Sequence, residues 1–463
     1  MSSPARHKSV KSVSEHWSSP GAFVLAGAGF AIGLKNIWLF PHHLALYGGS
    51  AFLLTYMFFL LALGVPLLMT QLMLGRLHGM SPVRGFALLA SRARAPHYWR
   101  WLGAVAVAAG FLVLSYYNVV AGWLLAYAVR SLSGALSGLT SEATASIFIA
   151  LIKDPEKQLF WHSLFVAMTF LVVARGVRHG IERVAQFAVP LIFLLLLLLV
   201  GYAAGTGSFV VGAGYFLRLD FSQMGVDGVL VAVGDAFFSL GLGFATFMTY
   251  GAYLPKQARL LKVSLLVVLA DLLAGLLAGF AIFPVLFAGG GLSTAGPGLV
   301  FQTLAAAFDS LPLGEVMRAM LFVLLVLIAW VSTIGLAEPV VAWGIDHSHR
   351  SRASVALRVG AATWLLGVIA ILSLHPWAFS FSVFGMVRSL GLFDVLVTVT
   401  SFLMLPFVGI ALAVFAGWLL RPDTARVHLG LRQPRYFRIW YWANRLLIPA
   451  LLVALLFGVR LFL

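Results

Sequence analysis

Lys35 is the only Asp, Glu, Lys or Arg between Glu15 and Arg76, and it lies in the apolar run Gly29-Phe30-Ala31-Ile32-Gly33-Leu34-Lys35-Asn36. A cation at bilayer depth is expensive, needs a partner, and marks a functional site by default. Two acids share its kind of surroundings: Asp235, in Gly-Asp-Ala-Phe-Phe-Ser-Leu-Gly-Leu-Gly-Phe, and Asp271, inside another long apolar stretch. A lysine with two carboxylates can form a static ion pair, stand in for a bound cation, or leave a surplus negative charge that holds sodium or a proton. Asp235 and Ser239 are spaced i,i+4, but no histidine is placed to act as a base for a nucleophile, so the pattern does not read as an enzyme. His42-His43, His347 and His349 lack metal-ligand spacing with a carboxylate and read as loop or interface residues.

Glycines surround these charges. Gly29, Gly33 and Pro41 interrupt the first apolar stretch, and Gly234, Gly241 and Gly243 interrupt the one holding Asp235. Broken helices at membrane depth are tolerated only where they line a cavity. Paired Gly-interrupted segments in corresponding places are the best sequence pointer to a transporter site built on inverted repeats. Small residues serving close helix packing explain the glycines but not the charges beside them.

The elements that must hold these residues are membrane spans. The 463-residue chain is 61% hydrophobic and 10% charged, with mean hydropathy +1.00, against about 25% charged in soluble domains. Eleven spans are expected, at about 22–44, 50–76, 101–129, 160–177, 182–203, 228–253, 258–288, 314–345, 353–374, 391–420 and 438–462. Residues 1–16 read as a polar cytoplasmic tail without a cleavable signal, and 17–463 as one transmembrane domain. Repeat one covers about 17–203, repeat two about 228–420, and 438–462 is an extra helix. The net charge of +16 does not point to nucleic acid. Most Lys and Arg fall on one side, and only Arg130, Lys153, Lys157, Arg218, Arg318, Arg388 and Arg460 fall on the other. That asymmetry places the N-terminus inside and the C-terminus outside. The chain has no cysteine, which excludes disulfides and thiolate chemistry.

An ordered set of short matches accompanies these features. They are His16-Trp17, Gly33-Leu34, Asn36-Ile37-Trp38, Phe40-Pro41, Gly48 to Leu54, Gly64-Val65-Pro66-Leu67, Gly75-Arg76, Ser115-Tyr116-Tyr117, Phe237 to Phe244, Glu338-Pro339 and Leu392-Phe393-Asp394. Together they resemble the neurotransmitter:sodium symporter family from about Glu15 to the end. The resemblance implies an all-α membrane protein of two inverted five-helix repeats with helices 1 and 6 broken (the leucine-transporter fold). It implies sodium-driven uptake of a small amino acid or amine across a bacterial-type inner membrane, with no cofactor beyond the coupling ions.

By the same resemblance the substrate pocket comprises Ala31, Gly33, Leu34, Lys35, Val113, Tyr117, Phe238, Ser239, Gly241, Phe244, Ser332 and Leu336. Unwound backbone near Leu34 and Lys35 offers amides, and carbonyls near Ala31 and Phe238 offer acceptors, for a zwitterion. Relatives for biogenic amines carry an aspartate where this chain has Gly33, so the substrate is expected to bring its own carboxylate. The apolar lining, with Gly241 leaving extra room, favours a neutral hydrophobic amino acid.

The departures concentrate at the ion sites. The first sodium position implied by the family uses Ala31, Asn36, Ser239 and an asparagine in span 7, which here is Asp271. The adjoining chloride position uses Tyr56, a glutamine that is here Asp235, and a residue that is here Gly275. We expect the Lys35 ammonium at or beside the first sodium position, with Asp235 and Asp271 as counter-charges. The second sodium position implies Gly29, Ile32, Ile328 and two hydroxyls, but those two residues read Val331-Ser332. Weak or absent sodium binding follows, unless Thr333 compensates through a register shift. The outer gate pair is Leu39 and Val397, both apolar. At the inner gate Trp17, Tyr253 and Asp346 are kept, and Ser14 replaces an arginine for which Lys11 is the candidate substitute. The readings left open are proton coupling, a conventional sodium symporter with a structural Lys-Asp pair, and a non-transporting receptor-like or scaffold relative.

Overall fold

The computed structural model describes residues 15–289, 298–348, 350–374, 379–383, 386–431 and 433–458. Lys11, Ser14 and the glycine-rich part of the loop before Gly298 lie outside them.

The first expected span is a bent pair, α1 (Pro20–Ala31) and α2 (Lys35–Leu46), which meet at 56°. Local sequence dictates both ends of α1. Ser19 accepts from the Ala22 amide at 3.1 Å and Pro20 opens the first turn, where a missing N–H costs nothing. At the other end Ile32 leaves helical geometry, and its amide closes on the Ala28 carbonyl at 2.8 Å.

Nine further helices among the described residues are long and apolar enough to cross a membrane. The first four are α3 (Ser50–His78), α4 (His97–Leu132), α5 (Pro155–Ala174) and α6 (Val177–Ala204). The expected span 228–253 comes next as two pieces, α7 (Gly225–Ser239) and α8 (Thr246–Ala252), neither long enough to cross alone. The remaining five are α9 (Leu260–Ala288), α10 (Gly314–Ser348), α11 (Arg352–Leu372), α12 (Leu392–Leu419) and α13 (Pro434–Phe457). By length alone the count is therefore ten with the bent pair, rather than the expected eleven. The break between α7 and α8 contains Gly241 at φ +61° and Gly243 at φ +90°, backbone that L side chains rarely adopt. Between α11 and α12 an antiparallel ribbon pairs Phe379–Val383 with Met386–Leu390, which the hydropathy pattern does not suggest.

Buried apolar side chains form two clusters, and Tyr117, Val184, Trp330 and Phe393 pack against both. The site opens where these clusters meet. α3 and α8 touch backbone to backbone. A Cβ on Gly75 would sit 2.0 Å from the Met248 carbonyl oxygen, and one on Gly251 2.6 Å from that of Leu72. The amphipathic run Leu299–Phe308 folds inward rather than lying in solvent, with Phe301 stacked on Phe148 at 4.6 Å between ring centroids.

Candidate functional site

One central cavity of about 330 Å³ is bounded by both helix breaks. All the residues expected to hold substrate line it: Ala31, Gly33, Leu34, Lys35, Val113, Tyr117, Phe238, Ser239, Gly241, Phe244, Ser332 and Leu336. So do Leu39 and Val397, the apolar pair expected at the outer gate. Sequence reasoning missed Phe30, Trp38, Tyr116, Val120, Phe393, Ser401 and Leu405. These residues read as ordinary helix packing until the helices are assembled. Gly241 leaves no extra room. The Phe30 ring fills the space, wedged so closely that a Cβ on Gly241 would lie 2.7 Å from it and one on Gly335 2.5 Å from it.

Lys35 is the one formally charged side chain of this lining. Its Nζ lies 4.2 Å from the centroid of the Phe238 ring, a cation–π contact that partly offsets lost hydration. The expected direct pairing with Asp235 and Asp271 does not form. Among the described residues no carboxylate oxygen lies within 4 Å of the ammonium. The reason is direction, since each acid is engaged elsewhere. Asp235 meets His43 Nδ1 at 2.7 Å. A cavity of only about 10 Å³, bounded by Lys35, Asn36, Phe40, Tyr56, Asp235 and Ser239, lies next to Lys35 on that side. His43, read from sequence as a loop or interface residue, is therefore part of the site. Its signal was weak, because its partner is 192 positions away.

Asp271 is fully buried. Asn36 Nδ2 donates to its Oδ1 at 2.8 Å, and the Ser239 and Tyr56 hydroxyls donate to Oδ2 at 2.5 and 3.3 Å. Asn36 Oδ1 and Ser239 Oγ stand 3.4 Å apart. Three donors converge on this carboxylate and, among the described residues, no cationic side chain lies within 4 Å of it; once ionised it carries a negative charge that a small cation would neutralise. The helix break frees backbone amides from the helical ladder. Among the described residues the amides of Leu34 and Lys35 donate to no backbone carbonyl, and the Tyr117 hydroxyl lies beside the Leu34 backbone and Ser332.

The second expected ion position is different. Val331 presses its Cγ1 against Gly29, 2.4 Å from where a Cβ there would stand. Ser332 Oγ reaches the Ile32 carbonyl at 3.4 Å. Thr333 supplies no replacement, because its hydroxyl bonds the Trp330 carbonyl at 2.9 Å and Thr169 at 3.0 Å, away from Gly29.

At the inner end Trp17 donates from its ring to the Tyr250 carbonyl at 3.1 Å and from its amide to that of Tyr253 at 3.2 Å. Tyr253 and Asp346 do not meet. The Tyr253 hydroxyl donates to Glu338 Oε1 at 2.7 Å, while Asp346 accepts from the Ser81 amide at 3.0 Å. Glu338 is fully buried and pairs with Arg352, which also reaches Glu15 at 3.5 Å. This Glu15–Arg352–Glu338–Tyr253 chain lies at the expected inner gate, where Tyr253 also meets the Trp17 amide. Sequence reasoning saw Glu338 only as part of a Glu-Pro match.

Comparison with known proteins agrees with this architecture. The model of the sodium:neurotransmitter symporter family matches residues 14–145 and 156–460. An uncharacterized sodium-dependent transporter of Bacillus subtilis is 33% identical over 94% of this chain and 96% of its own. The sodium-dependent dopamine transporter of Bos taurus is 26% identical over 77% of this chain and 58% of its own. The crystal structure of MhsT in complex with L-phenylalanine superimposes with a TM-score of 0.86 at 34% identity, covering 96% of this chain and 99% of that one.

Proposed function

Since the chain belongs to the sodium:neurotransmitter symporter family, we propose that it takes up a neutral, hydrophobic amino acid or similar zwitterion by alternating access, coupled to one cation held at Asp271. The observation that carries this reading is the division of labour around the first helix break. Lys35 and Tyr117 face the cavity, while Asn36, Ser239 and Asp271 converge behind it. The substrate carboxylate meets the Lys35 ammonium, the Leu34 and Lys35 amides and the Tyr117 hydroxyl. The ammonium group lies toward the carbonyls near Ala31 and Phe238. The aromatic lining of Phe30, Phe238 and Phe244 takes the side chain, in keeping with the L-phenylalanine bound by MhsT.

Lys35 thus supplies the positive charge that meets the carboxylate, and the coupling sodium sits with Asp271, Asn36, Ser239 and the Ala31 carbonyl. Tyr56 orients the carboxylate from behind. The position formed by Gly29, Ile32, Ile328 and Ser332 holds no ion, because Val331 presents a methyl group where an oxygen is needed. α7 and α8 count as one broken crossing, which makes eleven. The Lys/Arg asymmetry supports an inside N-terminus and an outside C-terminus in a bacterial-type inner membrane.

A proton-coupled reading has one observation in its favour, the His43–Asp235 pair beside Lys35. Uptake of labelled L-phenylalanine and L-leucine into proteoliposomes, with sodium and pH gradients imposed separately, decides. Accumulation driven by sodium alone is expected. Accumulation driven only by the pH gradient would replace sodium with a proton, and binding without flux would make the chain a receptor-like relative.

A further inference from the structure

We propose a binding site for an anionic phospholipid on the membrane face where α3 ends and α9 and α13 begin. Two cavities adjoin there. One, of about 390 Å³, is bounded by Arg76, Lys256, Arg259, His428 and Gly430. The other, of about 530 Å³, is bounded by Lys262, Leu261, Leu265, Leu266, Leu431 and Tyr436. They share Arg259, Leu429 and Gly430. The first is cationic and the second largely apolar, and they sit where these three spans meet the membrane surface. That pairing matches one molecule with a charged head and a hydrocarbon tail.

The charge is real and uncompensated. No acidic residue lines either cavity. Among the described residues none of Arg76, Lys256, Arg259 and Lys262 has a carboxylate within 4 Å. Arg76 is held in place by carbonyls, at 2.9 Å from Ala258 and 3.3 Å from Pro255, which fix its guanidinium without neutralising it. Burial, with the Arg76 and Lys256 cations beside it, pushes the His428 imidazole below its ordinary pKa. The helix Pro422–Leu429 stops at Gly430, whose φ of +65° turns the chain back over the cavity.

A phosphate monoanion fits the cationic compartment, whereas the choline of a zwitterionic lipid would be repelled by the same residues. Acyl chains lie along Leu265 and Leu266, the second of which is 41% exposed. The basic face is the one that the charge asymmetry assigns to the cytoplasm, so the ligand comes from the inner leaflet.

Native mass spectrometry of the full chain, titrated with phosphatidylglycerol, phosphatidylcholine or inorganic phosphate, tests this. Phosphatidylglycerol is expected to bind at one saturable site, phosphatidylcholine to bind far more weakly, and millimolar phosphate not to displace the lipid. Lys256→Gln, Arg259→Gln and Lys262→Gln together should weaken phosphatidylglycerol binding by roughly a hundredfold, each cation near the surface contributing about fivefold. All three side chains are exposed, so the fold should survive. Removing Arg175, Arg178 and Arg183, also exposed and read as facing the same side, changes net charge equally and should leave binding unchanged. Equal binding of both lipids, displacement by phosphate, or an equal loss in the control variant would overturn the proposal.

Discussion

Two positions flank the kink of the first helix, and they differ in what the rest of the chain presents to them. On the α2 side Asn36, Ser239 and Tyr56 all turn polar atoms toward the buried Asp271 carboxylate. On the α1 side Gly29 faces the methyl group of Val331, and the neighbouring Ser332 hydroxyl reaches the Ile32 carbonyl at 3.4 Å and lies beside the Tyr117 hydroxyl. The same break exposes backbone carbonyls to both. The difference teaches that an unwound helix supplies a cation with at most part of its coordination, and that the neighbouring side chains decide whether it is completed. A hard cation gains from each oxygen and nothing from a methyl group. On the proposed reading the coupling ratio is thus set by α7, α9 and α10 rather than by the broken helix itself.

The comparison can be broken most sharply at Asp271. Asp271→Ala removes the only formal charge of that position and should abolish sodium-dependent uptake, a loss of at least about a hundredfold, as expected when a buried charge loses its partner. Retained sodium dependence in flux assays would mean that the ion sits elsewhere. Lys35→Gly should come next. Substrate affinity should fall by roughly ten- to a hundredfold with sodium affinity little changed, since one charge-assisted hydrogen bond contributes about 1.5–3 kcal/mol. Scintillation proximity binding, titrated with sodium, separates these effects. Equal loss of both affinities would put the lysine at the ion instead.

Val331→Thr sharpens the contrast by gain. It restores a hydroxyl facing Gly29, so the sodium Hill coefficient for uptake should rise from about one toward two, with affinity improved by a few-fold. A wild-type coefficient already near two would dismiss the single-cation reading. The smallest effect is expected at Thr333. Thr333→Val breaks hydrogen bonds to Trp330 and Thr169, so stability should drop by about 1 kcal/mol. Thermal unfolding would register this, while sodium dependence of uptake should stay within about twofold because the hydroxyl points away from the ion path.

Much of this was legible in the chain. Spans, helix breaks and cavity lining follow from apolar run lengths, glycine placement and a family pattern that extends over nearly the whole sequence. What was not legible is which way a side chain turns once helices pack. Lys35, Asp235 and Asp271 read as one charge cluster because they share a membrane depth. The bend instead aims Lys35 over Phe238 and leaves Asp235 to His43. Gly241 read as spare room, but Phe30 occupies the space between it and Gly335. Trp17, Tyr253 and Asp346 read as the inner gate, but it was not legible that Tyr253 joins Glu338 and Arg352, a pairing set by how α8, α10 and α11 cross. Such contacts span large sequence separations and carry no local periodicity.

The glycine-to-carbonyl fit of α3 against α8 has a mechanical consequence. With Gly75 and Gly251 each seated against the other helix's backbone, no side chain separates the helices at these two points, so the two segments are expected to tilt together as a single plank. If access alternates as proposed, opening at this end comes from elsewhere along the perimeter, where the Trp17 indole and the Arg352 guanidinium hold the edge through bonds that can be broken one at a time.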